Sequence, residues 1–292
     1  MLKDTFFTPK TTLNCKGKII NLSTPIVMGV INIGPDSFYD GGKYRNKLDY
    51  IDRTDELLGQ GAVILDVGAA SSRPGAQLID PKLEMKRLLP ALDAITGKFP
   101  DAIISVDTYN SEVAEAAVHA GAHIINDISG GEIDPRMFET VARLNVPYIM
   151  MHMKGTPENM QDNPVYQDIV KEILFWFAKK TDQLRQLGVH DIILDPGFGF
   201  GKNLEDSYRL LNGLDYFRIF DLPLMIGFSR KSMINKVLGT SPEKALNGTT
   251  VLNTIALQKG AKILRVHDAR EAVEAIKIVE KFKECNPDRF SY

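Results

Sequence analysis

Residues 26–32 read IVMGVIN, residues 63–68 read VILDVG and residues 102–108 read AIISVDT. Each is a short apolar run with a polar or charged residue at, near or just past its C-terminal end. The same design recurs in HIINDIS (123–129), YIMMHM (148–153), DIILDP (191–196), PLMIGF (223–228) and ILRVHD (263–268). Runs this short and this continuously apolar suit strands covered on both faces. Between them lie stretches with apolar residues at three- and four-residue spacing, which predict helices over 48–60, 82–96, 111–120, 135–145, 165–187, 204–217, 243–259 and 269–283. Ser111, Asp134-Pro135, Asn163-Pro164 and Ser241-Pro242 are expected helix starts. Eight strands alternating with eight helices read as a (β/α)8 TIM barrel in the α/β class.

The chain has 292 residues, and such a barrel needs roughly 250. No glycine- or proline-rich linker divides it. The expected organisation is an N-terminal extension over 1–24, folded as a hairpin that closes the barrel bottom, a barrel over 25–285 and a tail over 286–292. An apolar fraction of 44% and a charged fraction of 25% are ordinary for a globular protein. A net charge of −2 gives no bulk attraction to nucleic acid or to an anionic membrane. Cys15 and Cys285 stand near opposite ends without metal-like spacing and are expected as free thiols in a reducing cytosol. MLKDTFFTPK lacks the apolar stretch of a signal peptide, and no 18-residue apolar run occurs, so a cytoplasmic enzyme is expected.

The polar residues gather where a barrel carries its chemistry, at the C-terminal ends of the strands. Asn32, Asp66, Asp107, Asn126, His152, Asp195, Ser229-Arg230-Lys231 and Arg265 with His267 all fall there. For Asp66 and Ser229, capping of the next helix stands beside a role in the site. Arg265 and His267 are two apart and so share one strand face. With Ser229-Arg230-Lys231-Ser232 one strand earlier, they point to a phosphate or pyrophosphate at the last two strands. Asp107, Asn126 and Asp195 offer carboxylates and an amide, a set that suits a flat heterocycle with a guanidine-like edge. A metal site is the generic alternative, and a hard cation at Asn32 with substrate phosphate stays open. Residues 32–42 and 68–75 are long polar loops, expected as lids. Gly197-Phe198-Gly199-Phe200-Gly201-Lys202 fits neither nucleotide-loop pattern and is not read as a cofactor signature.

Read in order, MGVINIGPDSFYDGG, SSRPGA, ISVDTYNSEVAEAA, GAHIINDISGG, MMHMKGTPENMQ, ILDPGFGFGK, GFSRKSMI and ILRVHDARE resemble the dihydropteroate synthases from about residue 25 to 270. That resemblance implies a transferase that joins 6-hydroxymethyl-7,8-dihydropterin pyrophosphate to p-aminobenzoate in folate biosynthesis and is the target of sulfonamides. It implies a pterin pocket of Asp107, Asn126, Asp195 and Lys231, with Met151 and Phe200 as apolar neighbours. It implies a pyrophosphate site of Asn32, Arg265 and His267, with Mg2+ at Asn32. Asp36, Ser72, Arg73, Pro74 and Ser232 are implied for p-aminobenzoate and its loops, and a homodimer is implied, built on the last helices. The sequence departs from the usual family pattern at Gly34, where threonine is common, and at Ala69, Ala70 and Ser72, within a loop that usually reads GGESTRPG. A pterin-dependent methyltransferase and a catalytically inactive pterin-binding barrel are the competing readings. The SRKS and RVHD stretches argue against the first, because a methyl donor carries no pyrophosphate.

Overall fold

A computed structural model of the chain describes residues 11–33, 47–70, 73, 75–162 and 164–285. Among them, eight parallel strands form a TIM barrel. In chain order these are β3 (Ile26–Asn32), β4 (Ile64–Gly68), β5 (Ile103–Asp107), β6 (Ile124–Asp127), β7 (Tyr148–Met151), β8 (Ile192–Asp195), β9 (Met225–Ile226) and β10 (Ile263–Val266), preceded by an antiparallel hairpin of β1 (Thr12–Cys15) and β2 (Lys18–Asn21). The sheet order is β8-β7-β6-β5-β4-β3-β10-β9. A parallel bridge between Leu194 and Leu224, with the Leu194 N–H donating to the Pro223 carbonyl at 2.9 Å, brings its two ends together.

The outer layer comprises α1 (Lys47–Gly59), α2 (Pro81–Lys98), α3 (Ser111–His119), α4 (Met137–Leu144), α5 (Ile169–Gln186), α6 (Leu204–Asn212), α7 (Ser232–Leu238), α8 (Leu246–Gln258) and α9 (Ala269–Glu284). The helix expected over 204–217 is divided at Gly213 into α6 and a 3-10 turn (Leu214–Phe220). Ser111 does not cap α3. It is the first helical residue, and its N–H and Oγ both donate to Asp134 Oδ2, at 2.9 and 2.6 Å. Asp134 thereby ties α3 to the turn that leads into α4. The α7 helix was not expected, and the strand expected over 223–228 is reduced to Met225–Ile226.

Strand parity sorts the side chains, since alternate residues face opposite sides of a sheet. Val27, Leu65, Val67, Ile104, Val106 and Ile125 belong to the large core between sheet and helices. Met28, Ile64, Ile103, Ile124, Ile149, Ile193, Met225 and Ile263, one from each strand, form a second core with Leu13, Cys15, Ile20 and Leu22 of the hairpin. The hairpin therefore plugs the N-terminal end of the barrel with apolar side chains. Its turn is held by the Lys16 and Lys18 ammonium groups, which donate to the Val118 and Pro100 carbonyls at 3.0 and 2.8 Å. Cys15 is buried in this plug, Cys285 is exposed, and neither is in a disulfide.

Candidate active site

Two residues beyond the apolar ring, on the same face of each strand, stand Val30, Asp66, Ser105, Asn126, Met151, Asp195, Gly227 and Arg265. Two further on stand Asn32, Gly68, Asp107, Ile128, Met153, Gly197, Ser229 and His267. The barrel interior thus changes from wholly apolar at the plugged end to largely polar at the mouth. A sealed core has no use for such a set, and the polar mouth is where a barrel binds its substrates. Parity separates the true interior from its neighbours. His152 and Asp127 lie at strand ends too but carry the opposite parity, and both are spent on holding loops.

Arg265 organises the interior. Its Nε donates to Asp66 Oδ2 at 2.6 Å and its Nη2 to Asp107 Oδ2 at 2.8 Å. The same Asp66 oxygen accepts from Asn126 Nδ2 at 3.0 Å. Asp66 does not cap a helix: it is 1% exposed and fixes both Arg265 and Asn126. The Nη1 end of Arg265 is not used by these carboxylates. At β4 the position beside Asp107 is Gly68, where a Cβ would sit 3.3 Å from that of Asp107, so glycine leaves room in the mouth.

The loop after β8 supplies the opposite wall. The Gly197 N–H donates to Asp195 Oδ1 at 2.8 Å. Lys231, at the start of α7, donates from Nζ to the Phe198 carbonyl at 2.7 Å and lies 4.6 Å from the centroid of the Phe200 ring. Gly197 has φ +69°, and a Cβ there would stand 2.1 Å from the His152 carbonyl oxygen, so only glycine fits. Met151 packs with Tyr109, Ile128, Met153 and Met160 in a small apolar cluster that Phe200 borders. A flat ring entering here meets an apolar face and a polar edge.

At the last two strands the His267 N–H donates to Ser229 Oγ at 3.2 Å, and His267 Nδ1 lies 3.0 Å from the same oxygen. A serine hydroxyl hydrogen directed at Nδ1 leaves the ring proton on Nε2, a neutral donor. Ser229 is thus in the site rather than a cap. Arg230 is not: its Nε and Nη2 pair with Asp268 at 2.8 and 2.7 Å, and Nη1 reaches the Glu243 carbonyl at 3.2 Å. Its positive φ of 59° turns the chain so that Lys231 faces the interior and Arg230 leaves it. Ser232 is exposed and, with Gly199, Lys202 and Lys236, lines a cleft of about 350 Å3 beside the mouth. Asn32 ends β3, partly exposed, and Arg73 is exposed. Asp36, Ser72 and Pro74 lie outside the described residues.

Asp66, Asp107 and Asp195 face Arg265 and Lys231, so carboxylates outnumber cations in the interior. Burial pushes the Asp107 carboxyl up to about 7; the attraction of Arg265 opposes this, but that guanidinium is shared with Asp66. Burial also raises Asp195, against the pull of Lys231. It lowers Lys231 to about 8, against the pull of Asp195. Burial, then the nearby Arg265 charge, lowers His267 to about 3, which keeps the imidazole neutral. The excess of acceptors matches a ligand that brings its own N–H donors or positive charge. Among the described residues no three His, Cys, Asp or Glu side chains form a metal cage.

Similarity to known proteins gives this arrangement a family. Residues 28–267 match the pterin binding enzymes. The dihydropteroate synthase of Escherichia coli K12 is 42% identical over 270 residues, covering 92% of this chain and 95% of that one. The Haemophilus influenzae dihydropteroate synthase is 37% identical over 268 residues, covering 91% and 97%. The chain belongs to the dihydropteroate synthase family. The Yersinia pestis dihydropteroate synthase, solved in a sulfonamide complex, superposes with a TM-score of 0.90 at 39% identity, covering 94% of this chain and 100% of that one. A Xanthomonas albilineans dihydropteroate synthase, solved in complex with 7,8-dihydropteroate, gives a TM-score of 0.81 at 30% identity over 95% and 100%. Asp107, Asn126, Asp195, Lys231, Arg265 and His267, all expected from the sequence, meet in one mouth. Asp66, for which the sequence offers both a cap and a site role, lies in the interior, as counting by twos from Ile64 places it. Lys202 is buried as well, and the sequence carries no periodic signal for it.

Proposed function

We propose that the barrel condenses 6-hydroxymethyl-7,8-dihydropterin pyrophosphate with p-aminobenzoate, giving 7,8-dihydropteroate and pyrophosphate in folate biosynthesis. The observation that carries this reading is the polar interior of Asp66, Asp107, Asn126, Asp195, Lys231 and Arg265 above a sealed apolar ring. Asp107, Asn126 and Asp195 take the N–H-rich edge of the pterin, and Met151 and Phe200 flank its ring. Arg265, His267 through Nε2, and Asn32 take the pyrophosphate at the rim. Ser232 and the adjoining cleft, with Asp36, Ser72, Arg73 and Pro74 of the loops, take p-aminobenzoate.

The neutral aromatic amine of p-aminobenzoate is the nucleophile, so no side chain needs to attack. The bond from the exocyclic carbon to oxygen breaks, and its electron pair leaves with pyrophosphate. The amine nitrogen then bonds to that carbon and loses a proton. Positive charge left on the carbon spreads into the electron-rich dihydropterin, which the surplus of carboxylates favours. The carboxamide oxygen of Asn32 is a hard ligand at the strand end. No cage of His, Cys, Asp or Glu forms among the described residues, which fits Mg2+ held in part by substrate oxygens and water. When bound there, Mg2+ would neutralise charge developing on the leaving pyrophosphate.

A homodimer and a cytoplasmic location complete the reading. Val251, Ile278 and Phe282 on α8 and α9 are exposed apolar side chains that support an interface on the last helices, which light scattering on the purified chain would test. Among the described residues no helix is long and apolar enough to cross a membrane. Turnover with both substrates tests the activity. Dihydropteroate and pyrophosphate should appear together, whereas a methyltransferase or an inactive barrel would give neither.

A further inference from the structure

Lys202 follows β8 on the loop behind the pterin pocket, and it is 3% exposed. A lysine buried this deeply needs partners for its N–H groups. Its Nζ lies 2.9 Å from the Gly197 carbonyl oxygen, 2.9 Å from that of Phe200 and 3.1 Å from that of His152, with His152 Nδ1 also at 3.1 Å. All four are acceptors when the imidazole carries its hydrogen on Nε2. The His152 ring is fixed in turn by the edge of Trp176, at 5.1 Å between centroids.

The turn around this ammonium has an unusual property. Every carbonyl from Gly197 to Gly201 accepts a side-chain donor. Gly197 and Phe200 take Lys202, Phe198 takes Lys231, Gly199 takes Gln161 Nε2 at 2.8 Å, and Gly201 takes the Tyr166 hydroxyl at 2.8 Å. Gly197, Gly199 and Gly201 all have positive φ, which rolls consecutive carbonyls outward instead of into a helix or sheet ladder. The Gly197 and Phe200 carbonyls, with that of His152, converge on one point, and dipoles so turned repel unless a positive charge sits there. The Lys202 amino group sits at that point: burial pushes its pKa well below the usual lysine range, the Asp195 charge opposes this, and the four acceptors around Nζ favour the ammonium.

We propose that Lys202 is a positioning residue for the reaction: its buried ammonium holds the 197–201 turn so that the Phe198 carbonyl and the Phe200 ring fix Lys231 against the pterin pocket. Its relevance to turnover rests on the role assigned to Lys231 in the proposed function. Lys202 touches no reacting atom. It also lines the cleft beside Ser232, so small amines can reach its place when the side chain is shortened.

The test uses the full-length enzyme and Lys202→Ala, with Lys202→Gln examined in the same way should the alanine variant not fold. Hydrogen exchange is read first, without substrates, at the Gly197 and Phe200 amides, which donate to Asp195 Oδ1 and the Gly197 carbonyl. Faster exchange confined to this turn is expected. Per folded molecule, kcat/KM for the pterin substrate should fall by about tenfold or more, as for a misplaced binding group. Propylammonium should restore it saturably, and it should slow the exchange as well. Unchanged exchange at the turn overturns the inference whatever the activity. So does a variant whose folded fraction keeps wild-type kcat/KM, or a loss that the amine does not recover. A wild-type enzyme that lacks turnover yet shows the exchange difference would count against the proposed reaction and leave the device in the turn standing.

Discussion

Asp195 and Arg265 are the residues at which a single atom decides the chemistry. Asp195 Oδ1 is committed to the Gly197 N–H, which leaves the other carboxylate oxygen for a ligand. Asp195→Asn replaces one acceptor by an N–H that would face the pterin N–H donors. The expected loss in kcat/KM for the pterin substrate is about 2–4 kcal/mol. Kinetics near those of wild type would remove Asp195 from the pocket. Arg265→Ala removes the charged donor among those proposed for pyrophosphate and also strands Asp66 and Asp107 without their cation. Calorimetry should show pyrophosphate affinity falling by about tenfold or more. Equal affinity in wild type and variant would place the anion elsewhere. The titration of Asp107 makes a further prediction. Its carboxyl is raised to about 7 in the free site, so a ligand that needs the carboxylate must displace a proton when it binds below that pH. Pterin affinity should therefore rise with pH towards about 7, up to the range near 8 where Lys231 loses its proton. Calorimetry in buffers of different ionisation enthalpy should detect proton release on the acid side. Pterin binding that is independent of pH, with no proton released, would contradict this.

At the scale of the elements, the decisive feature is the junction of β8 and its loop. Gly197→Ala would force a side chain into the left-handed region and against the His152 carbonyl, 2.1 Å away. A loss of about 2–4 kcal/mol in unfolding free energy is expected from chemical denaturation. A change within about 0.5 kcal/mol would mean that the turn relaxes at little cost. The elements were unequally legible in the sequence. Strands such as 102–108 and 263–268 declared themselves because a parallel strand covered on both faces must be apolar nearly throughout. Position at a strand end then singled out Asp107, Asn126 and Arg265 without coordinates, and parity put Arg265 and His267 on one face. β9 was harder, because glycine and proline flank a two-residue ladder. The seven-residue α7 is too short for a helical period to stand out beside SRKS. Arg230 and Lys231 are adjacent in sequence, and only the positive φ at Arg230 shows which of them turns inward. Asp66 acts through Asn126 and Arg265, and Lys202 in part through His152, partners far away in the chain that a local pattern does not reveal.

The whole molecule separates stability from chemistry along the barrel axis. The hairpin and the apolar ring close one end, and the other end collects the charges. A pocket that must hold the pterin pyrophosphate before the amine attacks implies ordered binding. Labelled p-aminobenzoate should bind weakly to the enzyme alone. It should bind tightly once pterin, Mg2+ and pyrophosphate are present. Equal affinity in the two titrations would contradict the ordered, dissociative path while leaving the family assignment intact. The central claim is that this mouth joins a pterin to an arylamine at the expense of pyrophosphate. Its most direct measurement is a single-tube assay that follows pyrophosphate release and dihydropteroate formation together, in wild type and in Arg265→Ala. The expected result is one pyrophosphate for each dihydropteroate in wild type, with both lost together in the variant. Pyrophosphate released without dihydropteroate, or the two products formed equally well by the variant, would contradict the account.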